Sequence, residues 1–332
     1  MPFSAFAWVR FCCLLALAGR LFSQAPANIS TVDDLMSALI DASSEEEQSR
    51  LIAERSNLVT PDFASKIHAE GHRLREAGSL DRARSAYTAT VKVSEQVGEQ
   101  PRVARALNNI GVVYGMQGSY AKALPFLQKG FALYETLGDR DGMADLLTNI
   151  GNVYRWQRDF AQALATHQRL LSLAEQVNDK RRIAIPCLNI GIIRSEQGDS
   201  AGALQYLERG LSLMRELKDE RNVAFALVSI GNVQSGLRRH AEAVAALEEA
   251  LAIQEKLGDK YGAVYALASI AYQEFQRGNA EKAIAPATRA LTMAQQGAYR
   301  EFTWRAATTL GYSNMKLSKH AEAVLLQNPE LK

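Results

Sequence analysis

Cysteine is scarce in this sequence, with 3 among 332 residues. Cys12 and Cys13 are adjacent near the N-terminus, so the rest of the chain contains only Cys187 and cannot form an internal disulfide. Cys187 stands where other copies of a repeat, described below, have leucine, which favours a core position. Prolines number only 8, and glycine is rare inside the predicted helices, so few residues interrupt helical segments.

The chain also lacks an excess of either charge. Its formal net charge is +2, and removing residues 1–27, which contain Arg10, Arg20 and no acidic residue, would leave zero. Surfaces that bind nucleic acid or anionic lipid need clustered lysine and arginine. We therefore expect no nucleic-acid partner and no membrane contact beyond the N-terminal segment.

An apolar run of nine residues, 11–19, lies near the N-terminus and follows Arg10. Ala25-Pro26-Ala27 then matches the small-residue pattern of a cleavage site. A membrane-spanning helix needs about 20 apolar residues. Residues 1–27 are therefore predicted to be a secretory signal peptide, and the protein to be exported, either to a periplasm or as a secreted protein.

Two details leave alternatives open. Arg20 follows the apolar run closely, which also fits an uncleaved N-terminal membrane anchor or a wrongly assigned start. A second match, Ser23-Gln24-Ala25, would leave Pro26 as the first mature residue, which should hinder cleavage. Cys12 and Cys13 lack the small-residue context of a lipid-attachment motif.

A 40-residue repeat organises the rest of the sequence. The segment 149–154, NIGNVY, has close counterparts at 109–114 and 189–194, and twelve residues after each central glycine lies an alanine. Small residues at both sites would let two helices cross closely, and a fixed period of this length indicates stacked repeats. The glycine position holds Gly71, Gly111, Gly151, Gly191, Gly231, Ala271 and Gly311, and the alanine position holds Ala83, Ala123, Ala163, Ala203, Ala243, Ala283 and Ala323.

Each repeat unit is predicted to be a helix pair, A and B. In the second unit Leu107, Ile110 and Val113 recur at helical spacing, and Gly118 ends helix A. Helix B ends at Gly138, which suits a left-handed C-cap, and an acidic residue follows that can cap the next helix. The predicted N-caps of helix B are Ser79, Ser119, Asp159, Asp199 and Asn279.

These patterns divide the chain after the signal peptide into three parts. Residues 28–60 are predicted to be a linker and two short helices, with Ser44 and Glu47 at capping-box spacing. They would cover the exposed end of the array, as terminal elements of a solenoid do. Residues 61–327 form the repeat array, and residues 328–332 are a C-terminal tail.

The repeat resembles the tetratricopeptide repeat, which has small residues at the positions of Gly111 and Ala123 and an aromatic at that of Tyr114. The resemblance also rests on the apolar set Leu107, Ile110 and Leu127. The family's usual unit is about 34 residues; a 40-residue unit is similar to that of kinesin light chains, spindle-orientation adaptors and many bacterial regulators. The resemblance implies an all-α, right-handed α-solenoid of about seven antiparallel helix pairs, whose helices A line a concave groove.

The resemblance also implies a binding site. In this family asparagines next to the helix-A glycine reach into the groove and hold the main chain of an extended peptide, because an amide both donates and accepts hydrogen bonds. The corresponding residues are Asn109, Asn149 and Asn189 before the glycine, and Asn152 and Asn232 after it. The alternative is that these amides only satisfy neighbouring helices.

Other positions on the helices A would set specificity. Arg105 and Arg155 make one half of the predicted groove polar, whereas Phe225, Tyr265 and Tyr272 make the other half apolar and suited to anchoring a ligand. Packing between adjacent helices would explain each aromatic equally well. The co-chaperone branch of the family pairs groove lysines with asparagines, and no matching lysine stands on the helices A here, so a chaperone C-terminus is not the expected ligand.

The sequence contains no pattern that indicates catalysis. His68 and His72 are four residues apart on one helix face, as a metal-binding pair would be, but no third ligand is evident. There is no nucleophile elbow, phosphate-binding loop or cofactor fingerprint. We therefore predict no metal, no cofactor and no enzymatic activity.

These features favour a non-catalytic scaffold that binds a peptide or protein segment in the groove. The alternative is the sensor half of a truncated signalling protein whose effector domain, a protease or other hydrolase, is missing. It rests on the ending of the sequence partway through helix B of the seventh unit. The same incomplete unit predicts self-association through the last repeat.

Overall fold

All regular secondary structure in residues 29–327 is helical. The computed structural model describes these residues, with side chains up to residue 318; the predicted signal peptide, 1–27, and tail, 328–332, lie outside them. The chain divides into two compact units, Met1–Met143 and Ala144–Lys332. Within the described part there are fifteen α-helices and no strand, which confirms the predicted all-α class.

The described part of the first compact unit, from residue 29 on, contains six complete helices and the start of a seventh. Its core is formed by apolar residues of the two lead-in helices and the first two repeats. The helices are α1 (Val32–Asp41), α2 (Glu45–Glu54), α3 (Pro61–Glu76), α4 (Leu80–Gln96), α5 (Gln100–Met116) and α6 (Tyr120–Leu137), with a 3-10 turn at Ser56–Leu58. Here α3 and α5 are helices A, and α4 and α6 are helices B.

The second unit continues the alternation of helices A and B. Helix α7 (Arg140–Trp156) begins in the first unit and belongs mainly to the second. The others are α8 (Phe160–Gln176), α9 (Lys180–Glu196), α10 (Ser200–Glu216), α11 (Glu220–Gly236), α12 (His240–Lys256), α13 (Lys260–Gln276), α14 (Ala280–Gln296) and α15 (Arg300–Gln327). Consecutive helices from α8 to α15 pack against one another, as a solenoid of helix pairs requires.

The repeated glycines mark the point where helix A touches its helix B. A Cβ atom added to Gly111 would lie 2.5 Å from the Leu127 side chain, and one added to Gly191 would lie 2.6 Å from Leu207 and 3.0 Å from the carbonyl oxygen of Ala203. Gly151 and Gly231 are covered in the same way by the residue sixteen positions later. The predicted close crossing at paired small residues is confirmed.

The turns between helices use left-handed backbone at fixed positions. Gly118 (φ 70°) and Gly198 (φ 86°) adopt it between helices A and B, and Arg158 (φ 61°) and Arg238 (φ 58°) adopt it without being glycine. A side chain in this conformation costs about 1–2 kcal/mol, so the packing of the flanking helices must offset that cost in the two A-to-B turns that have arginine. The turns from B to A use Gly98, Gly138, Asn178, Lys218, Gly258 and Ala298 in the same way.

All five residues predicted as N-caps of helix B occupy the N-cap position, but only the aspartates make the side-chain capping hydrogen bond. Asp159 and Asp199 each accept a hydrogen bond from the backbone N–H three residues on, at 3.1 and 2.9 Å. Ser79 and Ser119 make no such bond, because the hydroxyl is shorter than the carboxylate and does not reach that N–H from a similar backbone conformation. The amide of Asn279 donates instead to a glutamate of the preceding helix.

The two lead-in helices pack on α4. Gln48 Nε2 donates hydrogen bonds to the carbonyl oxygens of Leu39, at 2.8 Å, and Ser85, at 3.1 Å, and so ties α1, α2 and the first repeat together. The predicted capping box is half formed. Ser44 Oγ accepts from the Glu47 N–H at 3.2 Å, but the Glu47 carboxylate accepts from the backbone one residue before Ser44.

The seventh repeat unit is not the predicted helix pair. Helix α15 continues without interruption from Arg300 to Gln327 and passes through Ser318, where each earlier unit has its A-to-B turn. Ser318 is not among the residues with positive φ. In the described residues, units one to six are therefore helix pairs, and unit seven contributes one long helix.

Candidate functional site

In the second compact unit, one side of each helix A is exposed or half-buried along its length. We call the exposed side of α7, α9, α11 and α13 the A face. Asn149 and Asn152 on α7 and Asn189 on α9 are half-buried on it, and Asn232 on α11 is exposed. The repeat period places these amides at related positions of successive helices, which is the arrangement that the predicted contact with a peptide main chain requires.

Two of the predicted site residues bind each other. The hydroxyl of Tyr265, on α13, donates a hydrogen bond of 2.9 Å to Asn232 Oδ1, on α11. The ring of Tyr265 also meets Phe302 edge to face, with centroids 5.8 Å apart. These contacts fix the Tyr265 ring, and they leave the NH₂ group of Asn232 as the part of this amide that a ligand carbonyl could use.

Arg305, on α15, extends the aromatic end of the A face. Its guanidinium carbon lies 5.7 Å from the ring centre of Tyr265 and 5.8 Å from that of Tyr272. Both distances fall within the range of cation–π contacts, about 6 Å. The arginine therefore holds the two predicted aromatic anchors at a fixed separation while Tyr272 stays 39% exposed.

Arg155 joins neighbouring helices A rather than standing free. Its Nη1 atom lies 2.6 Å from Glu196 Oε1, on α9, and its guanidinium carbon is 5.8 Å from the centre of the Trp156 ring. Contacts of this kind correspond to the alternative in which predicted groove residues pack between helices. A ligand acid could compete with Glu196 for the arginine only by leaving that glutamate unpaired.

A pocket of about 510 Å³ opens among α11, α12 and α13. Phe225, Val228, Leu257, Tyr261 and Tyr265 supply its apolar wall, and Phe225 is 48% exposed. Ligand pockets in proteins span about 300–1,000 Å³ and combine an apolar lining with few polar groups. The pocket therefore has the size and lining to take a large apolar side chain.

The polar side of this pocket carries one charge of each sign. Arg221 and Asp259 line it together with Gln254. Asp259 Oδ1 already accepts a hydrogen bond of 2.9 Å from the backbone N–H of Gly262, which caps α13. This bond holds Asp259 as the cap of α13, although the carboxylate keeps its negative charge. Arg221 is the lining residue that could pair with an anionic group of a ligand.

Only part of this pocket was predicted. Phe225 and Tyr265 were expected at the site, whereas Tyr261 and Leu257 were not, because the groove hypothesis considered the middle of helix A and not the turn that precedes it. A signal existed, since Tyr261 stands one helical turn before Tyr265 in the same helix. Its hydroxyl lies 3.3 Å from Glu301 Oε1, and burial together with this carboxylate raises the pKa of Tyr261.

In the first compact unit, the predicted site residue Asn109 is buried. Its Nδ2 atom donates to His68 Nε2 at 3.3 Å, and His68 Nε2 is 3.1 Å from His72 Nε2. The rings of both histidines meet Tyr87 edge to face. Burial, reinforced by the charge of His72, lowers the pKa of His68 to about 4. Arg105, the other predicted residue of this unit, is exposed.

One histidine of the second compact unit carries no predicted function, and its place on helix B left a solvated or a packed position open. His167, on α8, is fully buried against Gly151, and neither of its ring nitrogens has a hydrogen-bond partner. The equivalent residues are Leu127, Leu207 and Leu247. Burial, with a smaller effect from the charge of Arg155, lowers the pKa of His167 to about 4.

Two features are absent from the described residues, 29–327. This stretch holds no group of three or more His, Cys, Asp or Glu side chains that could bind a metal ion, and none of its helices is long and apolar enough to cross a membrane. Cys187 is buried, as predicted, and burial raises the pKa of its thiol to about 11.

Three solved structures share this fold at low sequence identity. A signal-transduction ATPase from Pyrococcus horikoshii, a STAND protein with a tetratricopeptide repeat sensor, is 16% identical with a TM-score of 0.60 over 91% of this chain and 52% of its own. A Rap protein, solved in complex with competence and sporulation factor, is 17% identical with a TM-score of 0.54 over 86% and 92%. BtubC (BKLC) from P. vanneervenii is 17% identical with a TM-score of 0.52 over 69% and 93%.

A family model gives the assignment that these structures alone do not. No curated protein matches the chain. The model of the tetratricopeptide repeat, however, matches residues 68–136, 142–216 and 185–256, which together are more than half of the sequence. With the 40-residue helix pairs and the paired small residues at their crossings, this match shows that the chain belongs to the tetratricopeptide repeat family.

Proposed function

We propose that this protein is a non-catalytic interaction scaffold whose second compact unit binds an extended peptide or protein segment on the A face. The pocket beside Phe225 carries the proposal, because apolar surface and the charge of Arg221 meet there, and the exposed Asn232 is hydrogen-bonded to the lining residue Tyr265. An apolar side chain of the ligand would enter the pocket, and an acidic group beside it would face Arg221. The amides of Asn149, Asn189 and Asn232 would pair with the ligand main chain.

The tetratricopeptide fold supports this proposal at the level of a protein-binding scaffold. The Rap protein of the same fold was solved in complex with competence and sporulation factor, so this arrangement of helices can hold a bound factor. Amide side chains that pair with a main chain do not select a sequence. Specificity in this chain would therefore come from the pocket.

Replacing Phe225 by alanine tests the pocket. We expect peptides selected from a phage-displayed random library against the native protein to bind the F225A variant at least tenfold more weakly, since buried aromatic anchors dominate such interfaces. Fluorescence anisotropy with the labelled peptides measures the change. Thermal unfolding should shift little because Phe225 is half-exposed.

The matched control is Leu173→Ala. Leu173 is 44% exposed on α8, a helix B of the same unit, and it does not line the pocket. The affinity of the L173A variant for the selected peptides should equal that of the native protein. If both substitutions weaken binding equally, or neither weakens it, recognition does not take place at the pocket.

Replacing Asn149 and Asn189 together by alanine should weaken the binding of all selected peptides alike, whatever their sequence.

We also propose that the protein acts after export, with residues 1–27 removed. The alternative is retention of this segment as an N-terminal anchor. The mass of the N-terminal peptide from the native cells distinguishes the two, because cleavage at the first predicted site gives a chain that starts at Asn28. An intact N-terminus would contradict cleavage without affecting the proposed binding surface.

A further inference from the structure

Three side chains of the first compact unit meet at one atom, Nε2 of His68. His72, one turn later on α3, has its own Nε2 atom 3.1 Å away, and Asn109, on α5, has its Nδ2 atom 3.3 Å away. His68 and Asn109 are buried, whereas His72 is half-buried. The sequence shows the histidine pair, but only the fold brings the amide of the next repeat to it. We call these three side chains the His68 cluster.

The spacing of the two histidines suits a shared metal ion. Two imidazole nitrogens that bind one ion at about 2.1 Å each are about 3.0–3.4 Å apart when the angle at the metal is about 90–110°. The two Nε2 atoms fall within this range, and the ring centres are 4.8 Å apart, so each ring turns its Nε2 edge toward the other. The Asn109 amide lies at a similar distance from His68 and supplies a third atom beside the same point.

We propose that the His68 cluster binds a divalent transition-metal ion, Zn²⁺ or Cu²⁺, through Nε2 of His68, Nε2 of His72 and the amide oxygen of Asn109. Rotation of the amide by half a turn exchanges its nitrogen and oxygen, so the oxygen takes the position of Nδ2. The half-buried ring of His72 gives the ion its path from solvent. The site lies in the first compact unit and does not depend on peptide binding by the second.

The ligands are held in place before an ion arrives. Tyr87, on α4, is fully buried, and its ring meets those of His68 and His72 edge to face at 5.5 and 5.6 Å. Asn109 donates to Nε2 of His68, so this nitrogen already carries a lone pair and the ring proton is on Nδ1. Metal binding then needs only that the His72 ring proton moves from Nε2 to Nδ1 through solvent and that one amide rotates.

The surrounding charges decide which ions fit. Besides burial and His72, the positive charges of Arg105, Arg102 and Arg75 lower the pKa of His68, and the same charges would repel a cation that is held by charge alone. Ca²⁺ and Mg²⁺ bind through several oxygens, usually carboxylates among them, and the cluster offers one amide oxygen. Imidazole nitrogen suits Zn²⁺ and Cu²⁺. The cluster should therefore select these two ions over Ca²⁺ and Mg²⁺.

Isothermal titration calorimetry on the purified full chain, without a histidine tag and freed of metal by a chelator, tests the site. We expect one equivalent of Zn²⁺ to bind the native protein and Mg²⁺ to give no binding heat. His72→Gln should weaken Zn²⁺ binding at least tenfold, because one of two imidazole ligands is lost. His240→Gln, at a half-buried histidine of the second compact unit, should leave the affinity unchanged. Circular dichroism shows whether each variant keeps its helices.

Asn109→Asp tests the third ligand. A carboxylate of the same shape is a better zinc ligand than an amide, so N109D should bind Zn²⁺ at least tenfold more tightly than the native protein. Electron paramagnetic resonance of the Cu²⁺-loaded native protein should show two coordinated imidazole nitrogens, and that of H72Q only one.

The competing explanation is that the His68 cluster is a hydrogen-bonded group and nothing more. It holds if the native protein binds neither Zn²⁺ nor Cu²⁺ at 100 μM free ion, or if H72Q binds them as tightly as the native protein does. Unchanged Zn²⁺ affinity in N109D would equally contradict the three-ligand site.

Discussion

Replacing His167 by leucine is expected to stabilise the protein by about 2 kcal/mol at pH 7. Both ring nitrogens of His167 are buried without a hydrogen-bond partner, and leaving a buried polar group unsatisfied costs about 1–3 kcal/mol. Leucine already fills the equivalent site in three other units, at Leu127, Leu207 and Leu247, each against a glycine. The substitution therefore replaces an unsatisfied ring with a side chain that the helix crossing is known to hold.

The gain should grow as the pH falls. The pKa of His167 is about 4 in the folded protein against an ordinary value of 6.5. Between these values the unfolded chain binds a proton that the folded chain does not, so native stability is fully present above pH 6.5 and is lost as the pH falls toward 4. The loss is about 3 kcal/mol over the window, and the H167L variant avoids it.

The acid sensitivity should be reduced rather than abolished. His68 has a similarly lowered pKa of about 4. The unfolded chain therefore binds a second proton in the same pH window, which destabilises the folded protein in both variants. Urea titrations from pH 7 to pH 4.5 should therefore show a smaller fall in the free energy of unfolding for H167L than for the native chain.

The control for His167→Leu is His240→Leu. The Nδ1 atom of His240 lies 2.7 Å from Gln273 Oε1, so this histidine has a partner to lose, and its replacement should destabilise the protein. If H167L is less stable than the native chain at pH 7, or if its stability falls as steeply with acid, the ring must have a partner in solution and the explanation from burial is wrong.

The helix pairs and their crossings could be predicted because they are encoded locally. A helix ends where its apolar spacing stops and a glycine or aspartate follows, and two helices approach closely only where both carry small residues. The same comparison of units could also have identified His167 as a core residue, since sixteen residues after each glycine from Gly111 to Gly231 stands a leucine or this histidine.

Side-chain partners could not be predicted in this way. The amide of Asn109 is hydrogen-bonded to His68, and that of Asn232 to Tyr265. These contacts join neighbouring repeats, and they depend on how adjacent helices are offset. A row of identical residue types in sequence thus has different surroundings in each unit. The prediction of a turn at Ser318 failed for a related reason. The six other A-to-B turns form with glycine or arginine, so the repeat pattern alone does not show that a serine leaves the helix uninterrupted.

The second large effect is expected at Gly191. Gly191→Ala places a methyl group 2.6 Å from Leu207 and 3.0 Å from the backbone oxygen of Ala203. The leucine could rotate away, but the backbone oxygen moves only if α10 shifts, so the cost should lie near the upper end of the usual 1–3 kcal/mol for overpacking. Alanine returns up to about 1 kcal/mol through its higher helix propensity. We expect a net loss of about 2 kcal/mol.

Gly236→Ala separates crowding from helix propensity. Gly236 is the last residue of α11 and has nothing within 4 Å of an added Cβ, so only the propensity gain applies, reduced to about 0.5 kcal/mol by its place at a helix end. Chemical denaturation should then rank G236A above the native protein and G191A below it. If both variants are stabilised, α9 and α10 can move apart freely, and the small-residue crossing does not determine how closely these helices pack.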